Sequence, residues 1–204
     1  MTSPLDSVAN AGLTAQLKLE RFRKTGRTWR RRVDPDQAIQ IVNLQGSMYA
    51  TRSEGRAALN VAIYFPAVAE VLGLGALTNR PTEADAQLRC RASTLAPDGR
   101  DTWIEFAPED LKSIAGAGST FLQLYRNFGA PWLDRLSTLR AARDEFARTG
   151  AFWQAAAASI ACHDPSAARS LLLDALDHAS STTRPHLENW AVRYNLLESW
   201  PGQD

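Results

Sequence analysis

The spacing of the apolar residues changes twice along this 204-residue chain, and those changes restrict its fold more than any other feature. From Leu5 to Leu17 the apolar residues recur every three or four positions, which predicts a helix with one buried face. Between residues 28 and 106 they alternate with polar residues, as in strands. From Pro108 onward the helical spacing returns. We therefore predict an α+β fold, with an N-terminal helix, an antiparallel sheet of about four to five strands and a C-terminal layer of about five helices.

Five segments have the alternation of strands, and they span residues 28–33, 39–45, 58–65, 86–95 and 103–106. The segment 39–45 has apolar residues at both odd and even positions, which indicates either a bulge or a strand that is covered on both faces. Tight turns such as Pro97-Asp98-Gly99 favour antiparallel pairing. The stretches Gly46 to Gly55 and Gly73 to Pro81 are predicted to be loops.

The C-terminal part of the sequence predicts short helices. We expect Gly129 and Gly150 to end two of them, and Asp164 to cap the helix that begins at Pro165. The segment Gly116-Ala117-Gly118 lies inside a helix, where small residues permit close packing. We predict an α+β domain over residues 1–130 and a helical extension over 131–204 that packs on it as one globular unit.

Composition narrows the class of protein. Hydrophobic residues make up 45% of the chain and charged residues 22%, which is ordinary for a globular domain. The first residues, Met1 to Asp6, lack the basic start and apolar run of a signal peptide, and no apolar stretch approaches the roughly 18 residues of a membrane span. We therefore expect a cytoplasmic protein without a membrane partner, with Cys90 and Cys162 reduced. The many alanines and arginines favour a bacterial source.

Motifs of known chemistry are incomplete. The three histidines, His163, His178 and His186, are not three or four residues apart and so form no helical pair of metal ligands. The run Cys162-His163-Asp164 places neighbouring side chains on different helix faces. The segment Gly73-Leu74-Gly75 lacks the lysine of a phosphate-binding loop. We predict no catalytic residue, no metal and no cofactor.

The stretch Arg21 to Arg32 has the strongest local bias, with seven cations, two aromatic residues and no acid. A stretch of this kind can follow the phosphates of a nucleic acid. The alternation of a strand divides its charge, however, since Arg30 and Arg32 face away from Trp29 and Arg31. Nucleic-acid binding by residues 21–32 is therefore one alternative.

Assembly of the strands predicts a polar sheet face opposite the helices. If Leu59, Val61 and Ile63 face the helical core, six candidate binding residues share the other face: Arg30, Arg32, Asn60, Tyr64, Arg89 and Arg91. Tyrosine and arginine dominate the energetics of many interfaces, so this face fits an acidic protein partner. A face that is merely solvated, or that is covered by the C-terminal helices, is the competing interpretation.

Three stretches of the sequence resemble a bacterial family of unknown function, DUF4304. They are Phe-Arg-Lys-Thr-Gly-Arg-Thr-Trp-Arg-Arg at 22–31, Ile-Gln-Ile-Val-Asn-Leu-Gln-Gly-Ser at 39–47 and Leu-Asn-Val-Ala-Ile-Tyr at 59–64. The Cys90-Arg91 strand is also similar, and the resemblance covers roughly residues 5–135. The chain departs from the family pattern at Arg21 and Ala62, where glycine is usual. The resemblance implies an α+β domain and supplies no activity or catalytic residue.

These observations favour a non-catalytic protein-binding module, of which an immunity-type inhibitor of a bacterial toxin is one form by analogy. The alternatives are a nucleic-acid-binding protein and a small enzyme of unrecognised type. The sequence makes no prediction about the oligomeric state.

Overall fold

A computed structural model describes residues 3–51, 53–74 and 80–197, and it has the predicted α+β order of elements. The strands are β1 (Arg23–Thr25), β2 (Thr28–Val33), β3 (Ala38–Gly46), β4 (Gly55–Tyr64), β5 (Leu88–Arg91) and β6 (Ile104–Phe106). The α-helices are α1 (Pro4–Ala11), α2 (Leu13–Leu19), α3 (Pro66–Val71), α4 (Leu111–Leu124), α5 (Ala130–Arg135), α6 (Leu139–Arg148), α7 (Phe152–Ala161), α8 (Pro165–Asp177) and α9 (Arg184–Arg193). None of the helices in these residues is both long and apolar enough to cross a membrane.

The chain forms two compact units. The first comprises Met1–Phe65 and Thr78–Ser137, and the second comprises Pro66–Leu77 and Thr138–Asp204. The first unit ends at Ser137, and α3 belongs to the second unit although its sequence interrupts the first. In the second unit α3 packs on α7, and the indole N–H of Trp190 donates to the carbonyl oxygen of Val71 at 2.8 Å.

The first unit contains a six-stranded antiparallel sheet in the order β1-β2-β3-β4-β5, with β6 also paired to β4. The register between β3 and β4 is continuous from Ile39–Tyr64 to Gly46–Ala57, so β3 has no bulge. Both faces of β3 are buried, since Ile41 and Val42 are each 0% exposed. The apolar residues at both odd and even positions of 39–45 are therefore explained by cover on both faces and not by a bulge.

Two strands differ from the prediction. The segment 86–95 forms a strand only over Leu88–Arg91 and then a 3₁₀ turn over Ala92–Leu95. There the hydroxyl of Thr94 donates to the carbonyl of Arg91 at 2.8 Å, and such side-chain bonds to the backbone compete with strand pairing. The short strand β1 was not predicted. It pairs with β2 through a two-residue turn in which Gly26 has φ +59°, a conformation that glycine adopts without strain.

The predicted N-terminal helix is broken at Gly12 into α1 and α2. Ser3 caps α1 as its sequence predicts, by accepting the N–H of Asp6. The break coincides with a crossing of α4, where a Cβ atom on Gly12 would lie 2.0 Å from the carbonyl oxygen of Gly118. Gly118 thus permits the close packing that was predicted for Gly116-Ala117-Gly118, whereas a Cβ atom on Gly116 would meet no other element within 4 Å.

The prediction that Gly129 ends a helix is wrong. The chain remains helical from α4 through a π-helical turn, Tyr125–Gly129, into α5, and Gly129 has the right-handed helical angles φ −66° and ψ −50°. Gly129 instead permits a close approach to the sheet, since a Cβ atom there would lie 3.1 Å from Cγ1 of Val61, which is tighter than most such contacts. Gly150, at φ +77°, does follow the end of α6, and Asp164 caps α8 by accepting the N–H of Ala167 at 3.0 Å.

Candidate functional site

The strand register places the six candidate binding residues on one face of the sheet. One row across the strands joins Arg30, Ile41, Ala62 and Arg89, and the rows on either side contain the other four residues: Arg32 with Tyr64, and Asn60 with Arg91. With strands about 4.8 Å apart, Arg30 and Arg89 are separated by about 14 Å of sheet. The four arginines therefore form two groups, one at each side of the face.

The middle of this face is not a solvated surface. Tyr64 is 2% exposed and Asn60 is 7% exposed, and the Asn60 amide donates to the side chain of Gln45 at 3.0 Å. Pro81 and Asp85 of the first unit lie beside the face: Nε of Arg30 donates to the carbonyl oxygen of Pro81 at 2.6 Å, and Asp85 is close enough to act on Arg30 and Tyr64. An incoming partner thus meets the arginines and not Asn60 or Tyr64.

Asp85 sets the electrostatics beside Arg30. Its carboxylate accepts both the N–H and the hydroxyl of Thr82 at 2.7 Å, and these bonds, together with the charge of Arg30, lower the pKa of Asp85. Burial and the nearby Asp85 raise the pKa of Tyr64. Burial lowers the pKa of Arg30 and the neighbouring Arg80 lowers it further, but a guanidinium stays protonated at neutral pH.

Arg91, at the other side of the face, is held within a stack. Its guanidinium lies 4.3 Å from the ring centroid of Trp103 and donates to Asp101 at 2.6 Å. The guanidinium of Arg56 lies 5.7 Å from the same Trp103 ring. Arg89, next to this stack, is exposed. The charge of Arg91 is thus partly neutralised by Asp101.

A basic cavity of about 920 Å³ lies beside β1 and β2, and we call it the arginine cleft. Its cations are Arg21, Arg23, Lys24, Arg30 to Arg32 and Arg80, and its single acid is Glu20. Seven cations against one carboxylate is a large local excess in a chain whose formal net charge is +1. The cleft therefore combines Arg30 and Arg32 of the predicted face with most of the predicted basic stretch.

The lining cations differ in how firmly they are held. Arg31 donates twice to Oε1 of Gln40, at 2.9 and 2.6 Å, and once to Asp134 at 3.0 Å, while its guanidinium stacks 4.7 Å from the Phe22 ring. Arg31 is thus part of the framework. Arg21, Arg23 and Arg32 are exposed, so their charges are available to a ligand.

Glu20 is fixed on the wall of the cleft. Tyr125 donates its hydroxyl to one carboxylate oxygen, and Nε2 of Gln16 donates to the other at 2.5 Å. Burial raises the pKa of Tyr125 far above its usual value, and its hydrogen bond to Glu20 raises it further. Tyr125 therefore stays protonated and keeps the Glu20 carboxylate in place. The chemistry that this arrangement offers is the binding of anions.

A second cavity, of about 360 Å³, lies within the second unit beside Phe152, Trp153 and His178. The His178 ring lies 5.3 Å from the Phe152 ring, and its Nδ1 is 2.7 Å from the carbonyl oxygen of Asp174. In residues 3–51, 53–74 and 80–197, no cluster of three or more histidine, cysteine or acidic residues has the geometry to hold a metal ion.

Sequence reasoning named most of the cations that line the cleft, but it did not link Arg80 with them. Arg80 lies in a predicted loop, about fifty residues from Arg30 in sequence, and no local pattern links them. It also made no explicit prediction about the burial of the two aromatic residues in the basic stretch, which do not line the cleft. Phe22 is 5% exposed and Trp29 is 1% exposed, although the spacing of Trp29 in β2 already placed it on the helix-facing side.

Comparison with known proteins supplies one match. Neither the curated proteins nor the solved structures contain a match to this chain. The model of the family described as "Domain of unknown function (DUF4304)" matches residues 13–135, which is more than half of the chain. The matched region contains all six strands and the whole arginine cleft. The chain therefore belongs to the DUF4304 family.

Proposed function

We propose that the protein is a protein-binding module that recognises an acidic part of its partner through the arginine cleft. The observation that carries this proposal is the convergence of seven cations and one carboxylate on one cavity. Complementary charge across an interface accelerates association and excludes partners of the wrong sign. An acidic protein surface therefore suits this cleft better than a neutral one does.

Two observations favour a protein over a nucleic acid. Proteins that bind single strands stack bases on exposed aromatic side chains, but Phe22 and Trp29 are buried. Proteins that bind duplexes usually carry a broad positive field, whereas this chain has a formal net charge of +1. The cleft accordingly fits an acidic protein contact better than a phosphate backbone.

An inhibitor that covers an acidic functional surface of a toxin is one protein of this class. In that form of the proposal the protein acts in the bacterial cytoplasm, where Cys90 and Cys162 stay reduced. A stable one-to-one complex that inactivates the partner is the expected property.

The proposal is tested by reversing charge in the cleft. We expect wild-type protein to capture a stoichiometric partner from nuclease-treated native lysate, and the variant with Arg23→Glu and Arg32→Glu to lose it, because both exposed cations become repulsive. The matched control carries Arg140→Glu and Arg169→Glu on exposed positions of α6 and α8, with the same change in net charge.

Equal capture by the cleft variant and the control would show that the cleft is not the interface. Capture that disappears on nuclease treatment would indicate a nucleic acid instead of a protein. A direct titration with labelled poly-L-glutamate and with a single-stranded oligonucleotide separates the same two possibilities without a lysate. We expect the variant with Arg23→Glu and Arg32→Glu to lose its affinity for poly-L-glutamate.

A further inference from the structure

One edge of β2 is only partly covered. β1 pairs with β2 from Thr25–Thr28 to Arg23–Arg30 and extends no further. β2 itself continues along β3 to the pair Val33–Ala38. Within the described residues, no strand pairs with Arg31–Val33 on the side away from β3.

The backbone of Arg32 points toward this open edge. The N–H of Leu44 donates to the carbonyl oxygen of Arg27 at 3.0 Å, so the backbone N–H and C=O groups of Arg27 point toward β3. In an antiparallel strand the backbone groups of successive residues point to alternate sides. The backbone N–H and C=O groups therefore point toward β3 at Trp29, Arg31 and Val33. Those of Arg30 point toward β1, and those of Arg32 point toward the edge that β1 leaves open.

The space beside Arg32 is part of the arginine cleft. The chain that precedes β1 turns away from the sheet, since Arg21 has φ +65° and the N–H of Phe22 donates to the carbonyl oxygen of Leu17 at 2.9 Å. Among the residues that the structure describes, the segment before β1 therefore does not take the position beside Arg32 that an extended β1 would occupy. Arg32 and Val33 line the cleft together with Arg21 and Arg23.

The charge around this edge selects what can pair with it. Exposed strand edges are commonly protected from pairing by cationic side chains. Arg23 and Arg32 protect this edge from neutral or basic strands, but they attract an acidic strand. The same two side chains therefore select an acidic strand over other strands. A cavity of about 920 Å³ lies near the upper end of the usual range for ligand pockets, so it has room for a short peptide segment.

We propose that the arginine cleft binds an extended acidic segment of the partner, and that this segment adds to the sheet by pairing its backbone with Arg32. The inference rests on the proposed function and specifies its partner. Backbone hydrogen bonds to Arg32 supply the register, and acidic side chains of the segment pair with Arg21, Arg23 and Arg32.

The test compares two capped peptides in which glutamate alternates with valine. One has an ordinary backbone, and the other is N-methylated at alternate residues so that the edge facing β2 has no N–H donors. We expect the ordinary peptide to bind wild-type protein at least about tenfold more tightly, which corresponds to one or two backbone hydrogen bonds. Isothermal titration calorimetry at constant salt measures both affinities.

A pair of variants tests the same contact from the protein side. Arg32→Gln removes the charge and keeps the backbone N–H, whereas Arg32→Pro removes both at an edge position where proline spares the bonds to β3. We expect Arg32→Pro to bind the ordinary peptide at least about tenfold more weakly than Arg32→Gln does. Circular dichroism confirms folding, and the peptide pair alone decides the question if Arg32→Pro does not fold.

Equal binding of the two peptides to wild-type protein would overturn backbone pairing and leave the charge-based proposed function standing. Failure of both peptides to bind, or tighter binding of an oligonucleotide of equal charge, would overturn the inference and the proposed function together.

Discussion

Gln40 shows at the scale of one residue why an arginine can lie on the helix-facing side of the sheet. Gln40 is 1% exposed, and both ends of its amide are satisfied: Nε2 donates to the hydroxyl of Ser137 at 2.6 Å, and Oε1 accepts Arg31. A buried polar group costs little when all of its hydrogen bonds are made. Through Gln40, Arg31 is fixed at the base of the arginine cleft.

Gln40→Leu is expected to lower the free energy of unfolding by about 2–3 kcal/mol, because it leaves Arg31 and Ser137 without their buried partner. Urea denaturation measures the loss. Gln123→Leu makes the same chemical change at an exposed position of α4 and is expected to alter the free energy by less than about 0.5 kcal/mol. Losses of equal size in the two variants would contradict the role given to Gln40.

At the scale of the elements, the crossing of the N-terminal helices over α4 depends on two glycines. A Cβ atom on Gly118 would lie 2.9 Å from the carbonyl oxygen of Val8 and 2.9 Å from Cβ of Ala11. One of these atoms is backbone and cannot rotate away. The crossing thus holds the two helices at a separation that only glycine permits.

Gly118→Ala is expected to destabilise the protein by about 1–3 kcal/mol through overpacking at this crossing. Gly116→Ala, two residues away on the same helix, meets no atom within 4 Å and is expected to stabilise by up to about 1 kcal/mol, as alanine does in a helix. The two variants should therefore shift the urea midpoint in opposite directions. A shift in the same direction would show that contact at Gly118 is not the determinant.

At the scale of the whole molecule, the family match and the compact units divide the chain differently. The match covers residues 13–135, which includes α3, yet α3 packs on α7 in the second unit. α3 has only six residues, of which Val68 and Ala69 are fully buried. Helices this short are unstable without tertiary packing. The region shared with the family therefore contains one element whose packing partner lies beyond the match.

A chain that ends at Ser137 is expected to retain slow amide exchange in β3 and β4 and to lose it in α3, because α7 is removed. Hydrogen exchange followed by mass spectrometry distinguishes the two regions, with the full-length chain as the control. Retention of slow exchange in α3 of the shortened chain would show that α7 is not what stabilises it. General loss of protection would show that the first unit depends on the second.

Much of the fold is predictable from the sequence because the relevant information is local. The alternation at 28–33, the double-sided pattern at 39–45 and the caps at Ser3 and Asp164 each depend on residues within a few positions of one another. The shared face of the four arginines is also predictable, since alternation in a strand is a property of backbone geometry. The length of β5 was less predictable, because side-chain bonds at Ser93 and Thr94 end the strand.

The sequence by itself thus determined where five of the six strands and most helices lie, and which face the residues of those strands take. The tertiary structure decided which of those faces are covered. Tyr64 and Asn60 are buried, Arg80 joins the cleft, and the helix continues through Gly129 against Val61. Each of these outcomes depends on contacts between residues far apart in the chain, and the free energy of such contacts is not encoded in any local pattern of residues.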